Sequence, residues 1–512
     1  MCIQFLKILG VLCFTTLPFE ALSQQLVAPK NRPNIILLVA DDMNWDSPGC
    51  FGGAAPEITP NIDKLAKEGI RFFHAHVNIA ICTPSRSVML TGLYPQNNGA
   101  QAFQRILPNI KTLPNILNEE GFLCGTIGKP LNQQELFRWS VTYQWQGVGD
   151  ENMWGRDPKI YKQFCSSFFQ MAKDSKQPFF LMASSHDPHR PYGGGNNQKV
   201  NFEKVISSKT FQSEEVVVPK FIPDLPDTRK EMAAYCSSVR RLDDMIGTVM
   251  DELKDSGQYD NTIVMFLSDH GMSLPFAKTN CYVQSTKTPL IVRWPGHISK
   301  GSIDKEHMVS TVDLMPTILE AVGIAANSPT DGRSFLSLLK GNPQEGRDVI
   351  FTQFNHVHGR NPYPMRSVIT KDHSYIFNAW SNGKRIYNAE PLAGLSFKAM
   401  KRAAKNDPLI RARVDHLQHR TVEEFYDLKK DPNSLNNLIN PKDNDSEYSK
   451  AITDLRKLLL DWMIKYKDPA LTAFKNRQSA ESLEKFMEEY TAQARAEKEA
   501  LIPYEKAKGY RF

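Results

Sequence analysis

The sequence predicts an α/β protein with a large mixed, mostly parallel sheet flanked by helices and a smaller C-terminal antiparallel sheet. Three observations carry this. Apolar runs recur at residues 34–40 (NIILLVA), 179–182 (FFLM) and 262–267 (TIVMFL), and unbroken runs of this kind belong to strands covered on both faces. Each run ends abruptly in polar side chains, respectively Asp41-Asp42, Ser184-Ser185-His186-Asp187 and Ser268-Asp269-His270. Helical signals lie between the runs, as at residues 59–69, where a threonine, a first-turn proline and a closing glycine bracket one stretch. Ligands of open α/β sheets bind beyond the carboxyl ends of the strands, so these endings mark the candidate site.

Further elements follow in order. Residues 290–292 (LIV) form another strand. After about residue 345 the alternation of strands and helices fades, and residues 367–377 and 424–428 read as strands of the smaller sheet. Two polar helices close the chain at about 448–466 and 480–501, the second rich in Glu, Lys and Ala and suited to packing or to a solvated face. The expected division is an export signal over 1–23, a catalytic domain over 31–345, a C-terminal subdomain over 346–470 and a helical tail over 471–512.

Composition narrows the class. The chain has 512 residues, 41% hydrophobic and 23% charged, as an ordinary globular protein does. A net charge of +6 is compatible with an anionic substrate and lacks the concentrated basic stripe of a nucleic-acid binder. Lys7 precedes an apolar run over 8–17, and Ala21-Leu22-Ser23 offers small residues to a signal peptidase. That pattern predicts export to the periplasm or the extracellular space. The run is too short for a membrane anchor, and no later stretch is apolar enough to span a bilayer.

The segment Cys82-Thr83-Pro84-Ser85-Arg86, continued by SVMLTG, is the most informative in the chain. Pro84 falls where a helix begins, so Cys82 sits at a helix N-terminus, where backbone N–H groups and the dipole favour an anion. On these residues alone the cysteine is either a low-pKa nucleophile or a packed structural thiol. Outside the signal, Cys82 and five other cysteines remain, and there is no Cys-x-x-Cys. With Cys82 reactive, five cannot all pair, which excludes a disulfide scaffold.

The C-x-P-x-R pattern with its downstream T-G resembles the signature of the type I sulfatase family, and the likeness extends over nearly the whole mature chain. It includes the Thr59 to Gly69 element (TPNIDKLAKEG) and Phe425-Tyr426-Asp427-Leu428 with Asp431-Pro432. The resemblance implies that a formylglycine-generating enzyme oxidises Cys82 to formylglycine, whose hydrated aldehyde is the nucleophile. It implies one Ca²⁺ held by Asp41, Asp42, residue 82, Asp269 and His270, although histidine suits calcium less well than the asparagine common at that position. Arg86 would brace the nucleophile, and Lys129 in Gly128-Lys129-Pro130 would contact the sulfate. His186 would protonate the leaving group. Lys278, nine residues after Asp269, resembles the sulfate-holding basic residue of the sulfamidase branch, and His270 is shared with the iduronate sulfatase branch. The expected substrate is a sulfated carbohydrate carrying an N- or O-sulfate.

One departure stands out. Two or three residues after the Lys129 position the family supplies a histidine, and here those residues are Leu131 and Asn132. His74 and His76 are sequence-adjacent candidates to replace it, although a packing role suits both. Two rival readings stay open: a phosphoesterase of the same superfold, and a sulfatase-like binder of sulfated glycans with impaired turnover. A P-loop around Lys129 fails because position 123 is Leu. Residues 192–197 and 356–363 are candidate substrate-facing loops.

Overall fold

A computed structural model describes residues 32–129, 134–143, 155–193, 205–325, 329–357, 361–439 and 447–507. The segment expected to be an export signal, Leu131 and Asn132 lie outside these residues. Twelve strands are described: β1 (Asn34–Ala40), β2 (Ile70–His76), β3 (Leu123–Gly128), β4 (Val141–Thr142), β5 (Phe179–Ser184), β6 (Thr262–Ser268), β7 (Leu290–Arg293), β8 (Ser302–Ser310), β9 (Ile350–His356), β10 (Pro362–Ile369), β11 (His373–Asn378) and β12 (Glu423–Asp427). The large sheet has eight strands in the order β4-β3-β5-β1-β6-β7-β2-β8. All its pairings are parallel except those of β7, which runs antiparallel to both β6 and β2.

β1 explains why the central run is apolar throughout. Its even-numbered residues Ile36 and Leu38 enter one buried cluster, while the odd-numbered Ile35, Leu37 and Val39 enter another on the opposite face. A strand whose side chains alternate between two covered faces needs hydrophobes at every position. β5 and β6 divide their side chains in the same way. On the first face lie the Pro60–Glu68, Pro158–Ser175 and 30-residue Pro226–Asp255 helices, through Ile62, Phe168 and Leu242 among others. Met89 and Leu90 of the Cys82–Thr91 helix and Ile318 of the Leu314–Ala321 helix cover the second face.

The small sheet is antiparallel, ordered β12-β11-β10-β9. The run expected over 367–377 resolves into β10 and β11 joined by a turn at Thr370, whose N–H donates to the His373 carbonyl. Met365, Phe377 and Phe425 of this sheet share a buried cluster with β1, so apolar packing is continuous from the large sheet to the small one. The two closing helices are observed at Ser449–Lys465 and Ala480–Ala507. Among the described residues no helix is long and apolar enough to cross a membrane. The six described cysteines are all free thiols.

Candidate active site

Four neighbouring strands, β3, β5, β1 and β6, end side by side, and their ends deliver Lys129, the Ser185–Arg190 loop, Asp41-Asp42 and Asp269-His270. Sheet order therefore turns four separate sequence motifs into one constellation. Two glycines make the close approach possible. Gly128 has φ +86°, and a Cβ there would lie 1.5 Å from the Ser184 carbonyl oxygen; at Gly271 a Cβ would meet the Gln284 carbonyl at 2.2 Å. Asp42 itself has φ 66°, a left-handed conformation that costs a non-glycine residue free energy and clusters at functional sites.

Asp41, Asp42, Asp269 and His270 are fully buried, and one ligand atom from each lies within 4.8 Å of the others. Asp41 Oδ1, Asp42 Oδ1 and His270 Nε2 have no hydrogen-bond partner. Buried polar atoms are ordinarily satisfied, and three unpartnered ligand atoms on clustered residues make this a candidate cation site. His270 Nε2 is 3.4 Å from Asp42 Oδ1 and 3.7 Å from Asp269 Oδ1. Burial lowers the affinity of this imidazole for a proton, but the Asp269 and Asp42 carboxylates overrule it and raise the pKa to about 9.

Cys82 is the first residue of a ten-residue helix whose remaining residues are all buried. Ser85 Oγ donates to the Asp269 carbonyl at 2.6 Å, and Arg86 Nε donates to Asp269 Oδ2 at 2.9 Å, fixing the helix against the end of β6. Arg86 Nη1 donates to Ser184 Oγ at 2.9 Å, tying in the end of β5. The Cys82 thiol lies beside His270. Burial pushes its pKa up, but Lys129, the His270 imidazole and Lys278 bring it below the ordinary thiol value. Cys82 is not one of the four clustered ligands; it borders them.

Lys129 pairs with Asp41, and Lys278 Nζ is 2.7 Å from Asp42 Oδ2. Burial would raise the Asp41 pKa, but Lys129, His189, Arg86 and Lys278 hold it well below the carboxylate range. The three basic residues expected at the site are thus all gathered against the carboxylates. His74 and His76 are not: they lie on β2, where His76 Nδ1 is 3.2 Å from Thr286 Oγ1 and His74 is influenced chiefly by burial and Lys287.

The Ser185–Arg190 loop carries two imidazoles. His186 is partly buried, its ring stacked where a Cβ on Gly155 would fall. His189 Nε2 reaches to 3.8 Å from Asp42 Oδ2, and the side chain is 29% exposed. Its Nδ1 lies 2.6 Å from the Arg190 carbonyl, so Nδ1–H donates there and Nε2 is left facing the site. The loop is held by Asp187, which is fully buried, pairs with Arg156, and takes Nε (2.6 Å) and Nη2 (2.8 Å) of Arg241. Sequence reasoning singled out His186 and passed over His189. Two histidines three residues apart were the available signal, and spacing alone cannot rank them.

Glu390 was also missed. It opens a short 3-10 turn (Glu390–Ala393) far down the chain, and its carboxylate bridges Lys278 Nζ (3.1 Å), Arg190 Nη1 (3.0 Å) and the Ser273 hydroxyl. No periodicity or motif marks such a residue. Of the candidate substrate loops, 194–197 and 358–360 lie outside the described residues. Tyr192 lines a cavity of about 1010 Å³ with Arg190, Phe211, Glu231 and Lys398, while His356 is buried against Tyr490.

A helix-borne cysteine, a carboxylate cluster and converging cations at the ends of parallel strands define a hydrolase for an anionic group. Comparison with known proteins specifies it. Residues 33–324 match the family model described as Sulfatase, and residues 269–387 match N-sulphoglucosamine sulphohydrolase, C-terminal. The chain is 29% identical over 473 residues to human N-sulphoglucosamine sulphohydrolase, covering 86% of this chain and 92% of that protein. Among solved structures, it resembles a protein in complex with its substrate D-glucosamine-2-N,6-O-disulfate (TM-score 0.60, 20% identity, 85% of this chain and 98% of that one). It also resembles the phosphonate monoester hydrolase of Agrobacterium radiobacter (TM-score 0.62, 17% identity, 85% and 96%). The chain belongs to the sulfatase family and is a sulfuric ester hydrolase.

Proposed function

We propose that this protein removes sulfate, as an ester or a sulfamate, from a sulfated sugar, using a formylglycine made from Cys82 and a calcium ion held by Asp41, Asp42, Asp269 and His270. The observation that carries the reading is the placement of Cys82 at a buried helix N-terminus beside that cluster, with Lys129 and Lys278 on its rim. The similarity to N-sulphoglucosamine sulphohydrolase supports an amino-sugar substrate. Formylglycine formation requires a formylglycine-generating enzyme as maturation partner, and the N-terminal signal places the mature chain in the periplasm or outside the cell. The division at about residues 345 and 470 makes the C-terminal subdomain the donor of Glu390 to the site.

The carboxylate cluster fits calcium, which would neutralise charge on a sulfate oxygen and orient the group. Hydrated formylglycine would supply two geminal hydroxyls, one to attack sulfur and one whose loss of a proton releases the sulfate. The protein's own groups do the remaining work. Arg86 holds Asp269 and the start of the nucleophile helix in place. Lys129 and Lys278, on the rim of the cluster, would meet sulfate oxygens and stabilise the charge that spreads over them at the transition state. The leaving oxygen or nitrogen needs a proton. His189, whose Nε2 reaches the site, is better placed to give it than His186, whose ring is packed at Gly155. It would do so from the doubly protonated ring, which burial, Lys278 and Lys129 oppose and the Asp42 and Asp41 carboxylates favour. His186 is kept neutral by burial and by the nearby Lys129 and Arg156 charges, which oppose its taking up a proton, so it does not fill the role of base that Leu131 and Asn132 leave open.

A second reading, hydrolysis of a phosphate or phosphonate ester, is favoured by the shared fold of the phosphonate monoester hydrolase. A substrate panel separates the two. Glucosamine N-sulfate, glucosamine 6-O-sulfate and matched phosphate and phosphonate esters are assayed for released anion, with Cys82→Ala as control. Sulfate release that disappears in Cys82→Ala, while the circular dichroism and melting curve stay native, is the expected result. Release equal in both proteins, or release only from phosphorus esters, refutes the proposal.

A further inference from the structure

We infer that Glu390 is a specificity residue that reads the substituent beside the scissile sulfate and selects against a second anion there. The inference rests on the sulfatase reading of the site, with Lys278 as a sulfate-holding group. Glu390 is 39% exposed at the mouth of the site, while Lys278, 3.1 Å away, is only 5% exposed beneath it. Both Glu390 oxygens are fixed, Oε1 by Arg190 Nη1 at 3.0 Å and Oε2 by Lys278 and the Ser273 hydroxyl. Arg190 is itself clamped: it donates to the Ser273 carbonyl and pairs with Glu231 at 3.1 Å, and Glu231 is nearly buried and accepts the Ser396 N–H at 2.7 Å. A Cβ on Gly394 would meet Arg190 Nη2 at 2.2 Å and Glu231 Oε1 at 2.4 Å, so the turn that carries Glu390 is seated directly on this pair. The carboxylate is therefore a rigid negative group at the rim of a cationic pocket.

A sulfate bound at Lys278 places its sugar ring against this rim. Glu390 Oε1 retains acceptor capacity for a ring hydroxyl or ammonium, whereas a second sulfate or a carboxylate at the same position meets a like charge it cannot displace. That repulsion, offset in part by Arg190 and Lys278, which pair with the same carboxylate, is expected to disfavour the doubly charged ligand by about tenfold. The substrate class is then a sugar whose scissile sulfate is flanked by neutral or cationic groups, and multiply sulfated rings are poor ligands until the flanking sulfate has been removed by another hydrolase.

The test measures equilibrium binding in the calcium-loaded Cys82→Ala protein, so it does not depend on turnover. Dissociation constants for glucosamine N-sulfate and for glucosamine-2-N,6-O-disulfate are compared among Glu390, Glu390→Gln and Glu390→Asp backgrounds. Glu390→Gln is expected to shift the ratio of the two constants by about tenfold toward the disulfated sugar, and Glu390→Asp to keep the parental ratio. A purely structural carboxylate would weaken both ligands together. An unchanged ratio in Glu390→Gln overturns the inference, as does failure of glucosamine N-sulfate to bind the parental protein. The sulfatase reading fails separately, by absence of sulfate release from the Cys82-containing enzyme.

Discussion

His270 is the residue at which the proposed calcium site departs most from a simple oxygen cage. Its imidazole faces two carboxylates, and although burial opposes the proton, Asp269 and Asp42 raise its pKa from 6.5 to about 9. In the metal-free protein the protonated ring is a stabilising counter-ion. That contribution is complete below the ordinary pKa of 6.5 and is lost as pH rises through about 9. Calcium binding requires the neutral ring, so it expels a proton, and calcium affinity should rise with pH up to about tenfold per unit between pH 7 and 9. His270→Asn removes the competing proton and supplies an oxygen ligand; tighter binding and a much flatter pH dependence are expected by calorimetric titration. Equal pH slopes in the two proteins would show that His270 is no ligand. His189 poses a related test. If it delivers the leaving-group proton, His189→Ala should lower kcat by about 10²-fold or more on a sugar sulfate and far less on an aryl sulfate with an acidic leaving group. An equal loss on both would remove it from that role.

At the scale of elements, the strands that build the site were legible in the sequence because they are buried on both faces. β1, β5 and β6 must be apolar at every position, and the polar groups that terminate them are the site. Strands with a mixed environment were not readable. β8 (SIDKEHMVS) is charged and exposed over its first half, and β2 interleaves Arg71, His74 and His76 with its apolar residues. The reversed direction of β7 left no trace, because an apolar run reads the same in either orientation. Cys82, Arg86 and Lys129 were found through resemblance to the motifs of the sulfatase family, whereas Glu390 was invisible because a single turn residue has no pattern around it. The join between the small sheet and the helices that follow it yields its own prediction. Arg366 of β10 and Asp468, just beyond the Ser449–Lys465 helix, form a 2.6 Å ion pair, and both side chains are essentially inaccessible. Asp468→Asn strands a buried guanidinium and should cost about 3–5 kcal/mol in urea denaturation; a loss below about 1 kcal/mol would mean the pair is dispensable.

Across the whole molecule, the cation site joins loops from β1 and β6, the two central strands, so an ion bound there links the middle of the sheet to the nucleophile helix through Asp269 and Arg86. Calcium at about 100 times its dissociation constant should therefore stabilise the fold by about 2.7 kcal/mol, read as a rise in the thermal midpoint that chelation reverses. Magnesium, which demands a tighter octahedral shell, should give less. A melting curve indifferent to calcium would argue against a resident ion. The most direct test of the account is a mass spectrum of the peptide containing residue 82, from protein made in a host that has the maturation enzyme. The expected mass is that of the aldehyde, with one oxygen in place of sulfur and two hydrogens; an intact thiol in catalytically active protein would contradict the account.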